Sequence, residues 1–249
     1  MHQQTIEKLY ALRLNAMAEA FQGQFDQPDL TALSFEERFA LLVDRQHTAA
    51  LNAALAQRLR RAGMRQDACL ENLDLRTSRG LDRATVQTLA TGRWIRQHLN
   101  VLLVGPAGIG KSWICCALGN RAARDGYSVL YKRLSRLLDE LAVARLHARQ
   151  ARALTSLART RVLLIDDWAM VKLTADQRRD LMEVIDDRHD RGSTIIATQI
   201  PVDRWHDQIG DPTYADAILD RLVHNAYRIE LRGESMRRRA RPAVTEDRK

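Results

Sequence analysis

A chain of 249 residues, 45% of them hydrophobic, can bury a sizeable core; this excludes wholesale disorder and allows one large domain or two smaller ones. No apolar run approaches the ~18 residues of a membrane span, and the N-terminus MHQQTIEKLY lacks the apolar centre of a signal peptide, so a cytoplasmic protein without membrane contact is expected. The formal net charge of +8 favours an anionic partner, and the excess is strongest in residues 232–249, with seven basic and three acidic groups. Only five of the 39 basic residues are Lys, so arginine richness alone is not read as a nucleic-acid signature. Cys69, Cys115 and Cys116 have no CxxC or zinc spacing and read as reduced thiols.

Residues 3–22 carry Ile6, Leu9, Tyr10, Leu14, Met17 and Phe21 at the spacing of one helical face. Gly23, Pro28 and Asp29 break that pattern. Ser34 and Glu37 form a capping box, and a long helix to about Arg61 follows, striped by Phe35, Phe39, Leu42, Leu51, Leu55 and Leu59. The stripe is core or a face for a partner helix. Arg58, Arg60, Arg61 and Arg65 form an all-basic cluster with two readings, a solvated helix end or a DNA-phosphate contact. This gives a small all-α N-terminal domain over 1–65. A linker over 66–82 packs on the next domain through Leu70, Leu73 and Leu75. A helix over 82–99 leads onward, with Trp94 as core.

Asn100 to Val104 is a short apolar run, read as a buried parallel strand. Gly105-Pro106-Ala107-Gly108-Ile109-Gly110-Lys111-Ser112 then fits G-x-x-x-x-G-K-[ST], and a helix starts near Trp113. A phosphate chain needs backbone N–H donors wrapped closely around it, and Gly105, Gly108 and Gly110 permit that approach. The helix start adds a partial positive charge. Lys111 is expected at the β- and γ-phosphates and the Ser112 hydroxyl on Mg²⁺.

Strands and helices alternate from there. SVLY over 128–131, VLLI over 162–165, 194–198 and 227–231 read as strands; 134–157, 174–191 and 215–226 read as helices. Solidly apolar strands in this alternation imply an α/β fold, a parallel sheet with helices on both faces, over 83–231. The tail 232–249 is basic. Asp166 and Asp167 end the VLLI strand, so they sit at the sheet edge where ligands of α/β folds bind. Asp166 is placed to hold Mg²⁺ and Asp167 to polarise the attacking water. The next strand ends Ala197-Thr198-Gln199, and Thr198 or Gln199 could position that water. Arg221, in ILDRLV, is a surface arginine or reaches a neighbouring subunit's γ-phosphate; Arg237 could contact phosphates in cis.

These residues together resemble the IstB family of insertion-sequence ATP-binding proteins, an AAA+ group close to the DnaC-type helicase loaders. The likeness covers LSFEERFALLVDRQ, GPAGIGKSW, GYSVLYKRL, LLIDDW, PVDRWHDQIGDPTYADAILDRLVHNAYRIEL and GESMR. It implies a Mg²⁺-dependent, DNA-stimulated ATPase that forms a homo-oligomer on duplex DNA and assists an IstA-type transposase in transposition. It also implies that the N-terminal region contacts DNA or partner. Asp167 stands where many AAA+ proteins have Glu, and Ala169-Met170 replaces a more usual Gly-Leu. A DnaC-type replicative helicase loader is the alternative with the same site. A small-molecule kinase needs an acceptor pocket and lid for which the sequence offers no candidate. A binding protein without turnover is disfavoured by the two carboxylates.

Overall fold

Stretches of five or six residues form the five strands β1 (Asn100–Val104), β2 (Val129–Arg133), β3 (Val162–Asp166), β4 (Ser193–Thr198) and β5 (Ala226–Glu230), apolar runs at the centre and mixed sequences such as VLYKR at the edges. All pair in parallel, in the order β2-β3-β4-β1-β5. The three central strands β3, β4 and β1 are buried along nearly their whole length, which is why they alone lack alternating polar positions. The computed structural model describes residues 2–27, 30, 32–77 and 79–236. The chain divides into two compact units, between Gln57 and Arg58.

The first unit is helical: α1 (His2–Ala11), α2 (Asn15–Gly23) and most of α3 (Phe35–Ala62). The single helix expected over 3–22 is interrupted at Arg13, whose φ of 61° is left-handed and cannot continue a right-handed turn. The capping box forms as expected: the Ser34 amide donates to Glu37 Oε2 at 2.8 Å and the Glu37 amide to Ser34 Oγ at 3.2 Å. Of the α3 stripe, Leu42 is buried while Phe35, Phe39 and Leu51 are exposed. Pro28 and Asp29, which help break the pattern between the helices, lie outside the described residues.

The second unit adds α4 (Arg83–Ala90), α5 (Arg93–Arg96), α6 (Lys111–Arg124), α7 (Leu134–Leu146), α8 (Gln150–Arg159), α9 (Ala175–Arg188), α10 (Trp205–Ile209) and α11 (Pro212–Val223). Two helices expected as continuous are split. Gly92, at φ 66°, separates α4 from α5. Ala148, at φ 54°, separates α7 from α8, and the amide of Arg149 donating to Ala144 O at 2.7 Å closes the first of them. The starts follow their side chains: Asp82 caps α4, Thr174 with Gln177 forms a capping box for α9, and Asp211 caps α11 ahead of Pro212.

Helices α7, α9 and α11 pack on one part of the sheet around Leu137, Leu163, Leu181, Ile196 and Leu222. Trp168 and Trp205 meet there with ring centroids 5.2 Å apart. Trp94 is core, as expected; its indole N–H donates to Leu89 O at 3.0 Å. Cys115 and Cys116 are buried free thiols in α6, and burial pushes both thiol pKa values up, so they are poor nucleophiles. No helix among the described residues is long and apolar enough to cross a membrane.

Candidate nucleotide site

Parallel strands deliver the ends of β1, β3 and β4 to one edge of the sheet. There they surround a cavity of about 630 Å³. The phosphate loop supplies Ala107, Gly108, Gly110, Lys111, Ser112 and Trp113; β3 supplies Asp166 and Asp167; the end of β4 supplies Thr198 and Gln199. The structure therefore brings together most of the site residues singled out in the sequence.

The loop is held from behind. A Cβ at Gly105 would strike the carbonyl oxygen of Leu231, and one at Gly108 the hydroxyl of Ser235. Gly108 also sits at φ 80°, so it is required on both counts. The Met236 amide donates to Gly108 O at 2.9 Å, which ties the segment after β5 to the loop. Arg237, the next residue, lies outside the described residues. Gly110, at φ 99°, turns the chain into α6, so the first amides of a 14-residue helix face the cavity. Lys111 is buried, and its ammonium donates to Gly105 O at 2.7 Å and Pro106 O at 2.8 Å.

Asp166 is buried, and each of its oxygens has a protein donor. Oδ1 accepts from the Asp167 amide at 3.0 Å and Oδ2 from the Tyr131 hydroxyl at 2.7 Å. Burial, and then the bond to Asp166, push the Tyr131 phenol far above its usual pKa, so it stays a donor and fixes the carboxylate's orientation. The donor set of one hydroxyl, Ser112, and one oriented carboxylate, Asp166, consists of hard oxygens and fits Mg²⁺, which takes few protein ligands and keeps phosphate and water oxygens. Asp167 differs from its neighbour. Its side chain is 44% exposed, its φ is 57°, and Arg133 Nε lies 3.7 Å from its Oδ2.

The two residues at the end of β4 part company. Thr198 is buried; its hydroxyl donates to Trp168 O at 2.7 Å and accepts from the Ile200 amide at 3.0 Å. That clasp, with the Trp168 amide donating to Ala197 O at 3.1 Å, locks the Asp-Asp-Trp turn to β4. Gln199 is exposed and lines the cavity. Arg221 is not among the cavity residues. It lies on α11, where Nε and Nη2 each reach Asp186 Oδ1 at 2.8 Å, beside a surface groove.

One wall was missed in the sequence. Residues 66–79, within the stretch read there as linker, supply Gln66, Asp67, Asn72, Asp74 and Arg79 to the cavity, beside Arg65 from the end of the region read as the helical domain. Arg79 is 4% exposed; Nη1 donates to Ile109 O at 3.1 Å and Nη2 to Asp74 O at 3.0 Å, so a buried cation joins the wall to the phosphate loop. Burial lowers its pKa, yet a guanidinium stays charged. No local pattern marks it: Arg79 falls in the stretch read as linker, and its role depends on a loop thirty residues later. The basic cluster is also divided. Arg58 donates to Ala123 O at 2.8 Å, while Arg60, Arg61 and Arg65 are exposed, Arg65 at the cavity.

A phosphate loop after β1, which lies between β4 and β5 in a five-stranded parallel sheet, with carboxylates at the end of β3, defines a P-loop nucleotide-binding protein of the AAA+ class. The chain belongs to the family of IstB-like ATP binding proteins, whose model matches residues 7–243. It is 48% identical over 237 residues to the insertion sequence ATP-binding protein y4pL of Sinorhizobium fredii, covering 95% of this chain and 97% of the relative. It is 45% identical over 202 residues to the ATP-binding protein of insertion sequence IS1162 of Pseudomonas fluorescens, covering 81% and 87%. Among solved structures, the crystal structure of DnaI is similar in fold alone, with a TM-score of 0.58 and 19% identity over 67% of this chain and 92% of that one.

Proposed function

We propose that this protein is a Mg²⁺-dependent ATPase that oligomerises on duplex DNA and assists an IstA-type transposase in insertion-sequence transposition. The observation that carries the reading is the convergence of Lys111, Ser112, Asp166 and Asp167 on one cavity in a chain of the IstB family. The loop amides and the start of α6 would cradle the phosphates. Lys111 would leave the carbonyls of Gly105 and Pro106 for the β- and γ-phosphate oxygens. Ser112 and Asp166 would hold Mg²⁺, which when bound neutralises phosphate charge. Asp167, at the cavity mouth, would take the proton of the attacking water. Gln199 rather than Thr198 would orient that water, since the Thr198 hydroxyl is committed to Trp168 and Ile200. Arg221 would act in trans, leaving Asp186 for a neighbour's γ-phosphate on assembly; Arg237 remains a candidate phosphate contact in cis.

A strand-transfer assay tests the whole reading. An IstA-type transposase should join donor ends to target DNA at least tenfold faster when this protein and ATP are both present. No stimulation, with tight binding to a replicative helicase instead, would favour the loader reading.

A further inference from the structure

The run from Leu141 to Ile165 contains Arg145, Arg149, Arg152, Arg159 and Arg161 and no acidic residue. The structure divides these arginines into two groups. Arg145 pairs with Asp180 and Asp176, and Arg161 donates to Arg191 O at 2.8 Å. Arg149, Arg152 and Arg159 are exposed and, among the described residues, have no carboxylate partner. Arg152, Thr155, Ser156 and Arg159 follow at positions i, i+3, i+4 and i+7 of α8, so they form one face, along a shallow groove of about 420 Å³. Arg149 precedes the helix at its cap.

That face is rigidly mounted. On the opposite side of α8, Leu157 is buried in the core, with Ala153 and Leu154 packed against it. The far end of the helix is held by Arg188, which is 2% exposed and donates to Leu157 O at 2.7 Å, Thr160 O at 2.6 Å and Ser193 O at 2.6 Å. The near end is held by Gln150, which shares Asp180 with Arg145. A buried arginine spent on three carbonyls fixes the helix to β4, so little ordering remains to be done when a ligand binds.

From the charge, the hydroxyls and this mounting, we infer that the exposed face of α8 docks the phosphodiester backbone of duplex DNA, with Arg149, Arg152 and Arg159 on phosphates and Ser156 as a hydrogen-bond donor. Seven residues of helix span about 10 Å, over which duplex DNA presents about six phosphate charges. The Thr155 hydroxyl already donates to Ala151 O at 2.8 Å and so is available chiefly as an acceptor, which leaves Ser156 as the donor of the pair. The inference rests on the DNA-binding part of the proposed function and assigns it a surface. It favours α8 over the Arg58–Arg65 cluster, where Arg58 is engaged within the fold and Arg65 lines the nucleotide cavity.

The test is anisotropy of labelled linear duplex DNA across salt concentrations, with ATP present. It compares wild type, the triple variant Arg149→Gln, Arg152→Gln, Arg159→Gln, and a control, Arg93→Gln with Arg96→Gln, which removes exposed charge elsewhere. The triple variant should bind at least tenfold more weakly near 0.1 M salt. Its plot of log affinity against log salt should flatten by roughly two to three, one contact per arginine. The control should change by less than half as much, and ATP affinity should be unaltered. The single reversal Arg152→Glu should weaken binding in the same direction, independently of the triple variant's yield. Wild-type binding with an unchanged affinity and slope in the triple variant would overturn the surface while leaving the functional reading intact. Loss of transposase recruitment with DNA binding intact would assign the stripe to a protein partner and also overturn it. A wild type that ignores duplex DNA would overturn the functional reading, and the surface with it.

Discussion

Lys111→Ala abolishes nucleotide binding, with affinity for a fluorescent ATP analogue falling at least ~100-fold, because two charge-assisted contacts of about 1.5–3 kcal/mol each are lost together. The Lys111 ammonium lies within 3 Å of the Gly105 and Pro106 carbonyls of the loop that would cradle the phosphates. Alanine is a strong helix former, so the first turn of α6 survives the change. The loop itself is braced elsewhere, by Arg79 on Ile109 and by Met236 on Gly108. The loss therefore reports missing charge at the phosphates, not a collapsed loop. Unchanged affinity by equilibrium titration would show that the loop is not the phosphate site.

Asp167→Asn separates binding from turnover. Asparagine tolerates the left-handed backbone at φ 57° and keeps the side chain's size, so the turn after β3 is retained. Asp166, which has its own donors in Tyr131 and the residue-167 amide, stays oriented. ATP affinity should change less than threefold. Steady-state phosphate release should fall by about 10²–10⁴-fold, the range a positioned general base contributes. If ATP holds the proposed assembly together, the variant should remain assembled on DNA with ATP after the wild type has hydrolysed its nucleotide and dispersed. Release of phosphate at the wild-type rate would remove Asp167 from the water-activating role.

How much of this was legible in the sequence depends on how local each feature is. The phosphate loop is a contiguous pattern between a strand and a helix, so its residues and their placement can be read directly. The carboxylates of β3 are legible because an apolar strand of fixed length must end at the sheet edge. The helix breaks at Arg13 and Ala148 are not, since both residues are good helix formers and the left-handed turn there is set by packing. Thr198 and Gln199 are adjacent and both polar; burial of Thr198 and its contact with Trp168, thirty residues earlier in the chain, distinguish them. Arg79 and the wall at 65–74 are brought to the cavity by tertiary structure alone. The same holds for the α8 stripe, whose arginines look uniform until Asp180 is seen to engage Arg145.

Electron microscopy of the purified protein on linear duplex DNA, with and without ATP and beside Lys111→Ala, tests the central claim most directly. Rings or short filaments that enclose the DNA with ATP, and are absent both without ATP and in Lys111→Ala, are the predicted result. Particles of a single chain that ignore ATP and DNA alike would contradict an ATP-driven assembly and leave Arg221 paired with Asp186.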